Sequence, residues 1–130
     1  MIFIDTNYIN RFLLQDIPEQ CKVANELFQK ALQQEVKLVS TDLVFFEVCW
    51  SLKQFYKLQE IDILTKMQEI ISSGLITFQS NELLKQSILS AKNNSLGIED
   101  NYNLLFASNM QIKNFATFDK KLANHWKKSN

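Results

Sequence analysis

The sequence predicts an α/β fold: a three-layer arrangement in which a parallel sheet of four or five strands carries helices on both faces. Three observations predict it. Short apolar runs alternate with stretches of helical periodicity along the chain. Acidic residues follow two of those runs directly, where parallel sheets gather chemistry beyond the carboxyl ends of their strands. Gly and Pro number only 2 and 1 in 130 residues, too few for long linkers, so the chain reads as one domain, 1–130.

Element by element, Ile2-Phe3-Ile4 is an apolar run that serves as a buried first strand. Pro18 precedes a helix over about 19–35, in which Val23, Leu27 and Ala31 repeat at four-residue spacing beside Ala24, Phe28 and Leu32. Lys37-Leu38-Val39-Ser40 reads as a second strand. Thr41 and Asp42 offer caps for a helix to about residue 56. Another helix covers about 62–72, and Gly74 ends it. Leu75-Ile76-Thr77-Phe78 is the third strand, and Ser80 or Asn81 caps a helix to about residue 93. After a loop at 93–97, a helix runs over about 99–110. Phe115-Ala116-Thr117 makes a fourth strand, and 119–127 closes the chain as a helix.

Composition narrows the function classes. Hydrophobic residues make up 46% of the chain, enough for a real core. No apolar run is long enough to span a bilayer and no secretory leader is recognisable, so the expected location is the cytoplasm with no membrane partner. Cys21 and Cys49 lack the spacing of a zinc site and fit reduced core thiols. Net charge is zero, but residues 113–130 hold five lysines against Asp119 alone, a local +4. Such a segment attracts phosphates, or simply solubilises a helix end and suits its dipole. Neither a Walker A loop nor GxGxxG occurs, so nucleotide cofactors are not expected.

Four acids carry the chemical argument. Asp5 ends the first strand, and Asp119 follows Phe115-Ala116-Thr117-Phe118. Glu47 interrupts the apolar run from Leu43 to Trp50; it either meets a cation or lies at the watery margin of an amphipathic helix. Asp100 opens a helix beside Glu99, which faces about 100° away, so either acid could point at a site. Each has a plain structural reading as well: turn or cap for Asp5, helix-dipole partner for Asp100, N-cap for Asp119. Together they are carboxylates from four separated segments without His or Cys, a donor set suited to Mg²⁺ or Mn²⁺.

At these positions the sequence resembles the PIN-domain family, in particular its VapC-type toxins. Ile2-Phe3-Ile4-Asp5-Thr6-Asn7 is similar to the family's first motif, and 41–48 with Glu47 to the second. The run 97–107 with Asp100 is similar to the third, and 115–122 with Asp119 to the fourth. The resemblance covers essentially the whole chain, in order. It implies the PIN-like three-layer fold, Asp5, Glu47, Asp100 and Asp119 as catalytic metal ligands for Mg²⁺ or Mn²⁺, and Thr6, Asn7 and Thr117 as supporting residues. It also implies a homodimer and a cognate antitoxin, as in a type II toxin-antitoxin pair.

The expected function is a metal-dependent endoribonuclease that leaves a 5′-phosphate and a 3′-hydroxyl. Lys120 and Lys121, next to Asp119, would steer RNA. The alternative is an inactive PIN-like binding scaffold. A haloacid-dehalogenase-like phosphatase needs a second Asp where Asn7 stands, and a receiver needs paired acids after the first strand. For an antitoxin, Phe12, Leu13, Leu14, Phe45, Phe46 and Trp50 are candidates for an apolar groove or for ordinary core. Trp50, which shares a helical face with Glu47, is the one expected to be partly exposed.

Overall fold

The computed structural model describes residues 1–129. They form β1 (Ile2–Phe3), α1 (Thr6–Leu14), α2 (Pro18–Leu32), β2 (Leu38–Ser40), α3 (Asp42–Gln54), α4 (Glu60–Ser73), β3 (Ile76–Phe78), α5 (Asn81–Asn93), α6 (Ile98–Asn109) and α7 (Lys120–Ser129). The three strands make one parallel sheet in the order β1-β2-β3. This corrects the expected PIN-like architecture: the described chain is mostly helical, with three strands in place of four or five.

The strand expected at Phe115-Ala116-Thr117 is where the expectation fails. An extended segment becomes a strand only when its N–H and C=O groups pair with a neighbour. None of the described residues from Glu82 on lies in a strand. Phe115 packs its ring against Trp126 instead, with centroids 5.1 Å apart. The apolar spacing overstated burial, since Phe115 is half-buried and Phe118 fully exposed, and it missed the lack of a backbone partner.

The chain clusters into two compact units, one covering Met1–Asn81 and the other starting at Glu82. In the first, the Ile2 N–H donates to the Lys37 carbonyl (2.8 Å) and the Ile4 N–H to the Val39 carbonyl (3.0 Å). β2 and β3 pair Leu38 with Ile76 and Ser40 with Phe78. β1 was expected to be buried, but it is an edge strand with Ile2 38% and Phe3 55% exposed. Only Ile4, just past it, enters the core, and the buried Ser40 hydroxyl donates to its carbonyl at 2.9 Å.

Helix α1 has no counterpart in the sequence reading. Its residues Thr6, Asn7, Tyr8 and Asn10 have modest helix propensity and conceal it. Asp5 supplies the start: its backbone is extended and its carboxylate accepts the Thr6 N–H at 2.7 Å. Gln15 ends the helix in the left-handed region (φ 52°), and its side-chain amide donates to the Phe12 carbonyl (2.7 Å), so the side chain covers an otherwise orphaned acceptor.

α1 packs on α2 and α3, α3 on α4, and α4 on β3. Phe28, Phe45, Leu52, Met67 and Ile76 are fully buried at the centre of this unit. Thr41 caps α3 through the Val44 N–H (3.2 Å), and Gly74, at φ +71°, ends α4. Cys21 and Cys49 are buried, and the Cys21 thiol donates to the Arg11 carbonyl. In the second unit, Leu84, Ile88 and Ala91 form one buried stripe along α5, and Leu122 and Trp126 one along α7. No helix among the described residues is long and apolar enough to cross a membrane.

Candidate active site

β1 delivers Asp5 to the carboxyl end of the sheet, and the chain turns there into α1. Glu47 stands in the middle of α3, exposed, on the flank that meets α1. Thr6 joins the two acids. Its N–H donates to Asp5 Oδ1 (2.7 Å), and its hydroxyl donates to Glu47 Oε2 (2.7 Å). One turn further along both helices, buried Asn10 donates from Nδ2 to the Ser51 hydroxyl (3.0 Å). Both links join residues 41 apart in sequence, so α1 and α3 run side by side in the same direction. The rungs are separated by four residues on each helix, about 6 Å of rise.

Arg11 adds a third tie. It is 7% exposed, reaches Tyr56 Oη through Nη2 and Asp16 Oδ2 through Nη1 (3.4 Å), and leaves its buried Nε without a partner. Asn10, Ser51, Arg11 and Tyr56 were not assigned to the site from sequence. The usable signal was spacing: Asn10 lies four residues after Thr6, and Ser51 four after Glu47, on the same helical faces.

Asn10, Ser51 and Tyr56 border an open cavity of about 380 Å³, lined also by Asp5, Thr6, Asn7, Glu47, Trp50 and Phe55. Its donors are oxygens and amides, with two carboxylates and neither His nor Cys. That set fits a hard divalent cation, which is commonly held by one or two carboxylates and retains several waters. Asp5 and Glu47 would hold it. Among the described residues, no three His, Cys, Asp or Glu side chains are grouped as a metal site.

The other predicted acids lie in the second unit. Asp100 is half-buried in the first turn of α6. Glu99 is exposed and folds back, its Oε2 3.4 Å from where a Cβ on Gly97 would stand. Next to them, Asn101 is 2% exposed and pairs its amide reciprocally with Asn94 (2.7 and 3.1 Å), while also donating to the Gly97 carbonyl (2.9 Å). The polar run 99–101 thus has a structural account: Asn101 closes the loop that starts α6. Asp119 is exposed and caps α7, accepting the Leu122 N–H at 3.1 Å, and its own N–H donates to the Thr117 hydroxyl at 3.1 Å. Lys120 is exposed, and Lys121 donates to the Ser95 carbonyl at 3.0 Å.

In the groove envisaged for a partner, Phe45 is fully buried and Phe12 stacks on Phe28 with centroids 4.0 Å apart. Trp50 is 54% exposed, and Leu43, one turn before Glu47, is 67% exposed. Comparison with protein-family models, curated proteins and solved structures finds no match.

Proposed function

We propose that this chain is a metal-dependent ribonuclease that hydrolyses RNA phosphodiester bonds at the Asp5–Glu47 cavity. One observation carries the reading: Thr6 hydrogen-bonds both carboxylates and so pairs two acids from distant segments at the carboxyl end of a parallel strand. Parallel α/β sheets bind their ligands at that end. Mg²⁺ or Mn²⁺, when bound there, would lower the pKa of a coordinated water and offset charge on the phosphorus centre. The protein's part is positional. Thr6 fixes the aim of both carboxylates, and the Asn10–Ser51 rung fixes the distance between the helices that bear them. The resemblance of the four acidic motifs to PIN-type nucleases supports the same chemistry. It is the sole support for a role of Asp100 and Asp119 as ligands.

The test measures cleavage of a single-stranded oligoribonucleotide with Mn²⁺ and with EDTA, together with melting in each. Wild type should cleave only with Mn²⁺, leave 5′-phosphates, and melt at higher temperature with the ion. Asp5→Asn keeps a good helix cap but should lose both effects. Metal-independent melting together with absent cleavage overturns the reading.

A further inference from the structure

The cavity beside the two acids has an aromatic wall that the proposed hydrolysis does not use. Trp50 and Phe55 both line it, and they keep 54% and 69% of their surface exposed. Their rings meet edge to face, with centroids 5.2 Å apart and planes at 85°, so each holds the other's orientation. Trp50 follows Glu47 by three residues on α3, which puts the indole and the carboxylate on one helical face.

We infer that Trp50, braced by Phe55, is a stacking platform for an unpaired nucleobase of single-stranded RNA next to the Asp5–Glu47 pair. The inference rests on the ribonuclease reading and deepens it: the substrate is unpaired RNA, gripped through a base. Two features favour a base over a protein surface as the occupant. Glu47 shares the helical face with Trp50, and among the described residues its hydrogen bond is from the neutral Thr6 hydroxyl. An apolar partner pressed over Trp50 would strip water from that carboxylate without supplying a counter-charge. A flat base covers the indole and leaves Glu47 in water. The described lining residues include no Lys or Arg, so phosphate neutralisation contributes nothing there and the grip on RNA is by stacking. Finally, every base has a π-face, so two braced, solvent-facing rings form a sequence-tolerant seat.

The experiment titrates the tryptophan fluorescence of wild type with an eight-residue oligoadenylate in EDTA, so that no cleavage intervenes, and uses an abasic oligomer of equal charge as control. It reads the affinity of wild type and every variant from the anisotropy of a fluorescein-labelled oligoadenylate, which needs no tryptophan. The oligoadenylate should quench wild type, and the abasic oligomer should not. Trp50→Ala should weaken binding about tenfold, the scale of one stacked base, with little dependence on salt. Trp50→Phe should restore most of the affinity, and Phe55→Ala should weaken it by less than Trp50→Ala. With Mn²⁺, Trp50→Ala should raise KM and leave kcat nearly unchanged. Melting curves verify the fold of each variant.

Equal binding by wild type and Trp50→Ala overturns the platform, as does equal quenching by the abasic oligomer. So does a Trp50 signal that responds to a protein and never to the oligoadenylate. The two readings fail separately. Cleavage indifferent to Trp50 removes the platform and leaves the nuclease. Trp50-dependent binding by a chain that never cleaves RNA leaves the platform and removes the nuclease.

Discussion

The two units use buried asparagines in opposite ways. Asn10 reaches from α1 to Ser51 on α3, 41 residues away. Asn101 turns back on its own loop, to Asn94, Leu96 and Gly97, none more than seven residues away. The first arrangement fixes one helix against another and holds Asp5 and Glu47 at its open end. The second fixes a loop and the start of one helix. The acids differ accordingly. Among the described residues Glu47 meets a single hydroxyl and no backbone group, whereas Asp119 serves as a cap for α7. Glu47, which no local backbone requires, therefore has a better claim to a ligand than Asp119, whereas Asp5 caps α1 and owes its claim to the link through Thr6.

The largest effect expected from this contrast is on chemistry. Glu47→Gln keeps the shape and an acceptor for the Thr6 hydroxyl but removes the charge. Mn²⁺-dependent cleavage should fall at least ~100-fold, the scale of about 3 kcal/mol of lost transition-state stabilisation. Melting without metal should move little, because an exposed side chain changes stability by roughly 0.5 kcal/mol or less. A cleavage rate within twofold of wild type would strip Glu47 of its role and with it the distinction between the units.

Next comes stability, where the second unit is the more vulnerable. Asn101→Ala removes the two amide bonds with Asn94 and those to the Leu96 and Gly97 carbonyls at once, leaving Asn94 with only the Leu96 N–H and the Gly97 carbonyl with only the backbone N–H of residue 101. Denaturant unfolding should show a loss on the order of 3 kcal/mol. Asn10→Ala removes the link to Ser51 alone and should cost about 1–2 kcal/mol. Reversal of that order would mean that the helix-to-helix rung, and not the loop closure, holds more of the fold.

The sequence revealed these arrangements unevenly, for physical reasons. Strong apolar periodicity and capping residues located α2 to α7, and α5 runs over Asn81–Asn93 as expected. α1 stayed hidden because its polar residues face Glu47 and Ser51 across a helix contact that no local pattern records. The fourth strand was misread because strands depend on backbone partners, and apolar spacing is silent about them. Asp5 and Glu47 were both legible as acids at apolar boundaries. Their link through Thr6 was not, since it depends on the packing of α1 on α3.

Arg11 offers a smaller test of how the first unit is tied. Its planar fork reaches Tyr56 and Asp16 from one buried group, which a Lys cannot reproduce. Arg11→Lys should cost about 1–2 kcal/mol in unfolding, with the loss shared between the vacated tie to Tyr56 and imperfect packing of the stem. If this variant also lowers Mn²⁺-dependent cleavage more than it lowers stability, Arg11 helps to hold α1 in the position that aims Asp5.

The smallest stability change belongs to Asp119, and it separates two roles that the sequence left joined. As an N-cap, Asp119 accepts the Leu122 N–H through Oδ1, a task that Asn performs about equally well. Asp119→Asn should therefore melt within a few tenths of a kcal/mol of wild type, whereas Asp119→Ala should lose about 1 kcal/mol. Removal of the charge has no further structural consequence in α7 beyond a slight loss of favourable interaction with the helix dipole. A cap with no part in catalysis predicts that both variants cleave RNA as fast as wild type under conditions where they are folded. A metal ligand predicts that Asp119→Asn cleaves far more slowly while staying as stable. Cleavage and melting measured on the same preparations of the Asn variant decide between them, and the second outcome would extend the site's chemistry to an acid that the geometry alone explains as a cap.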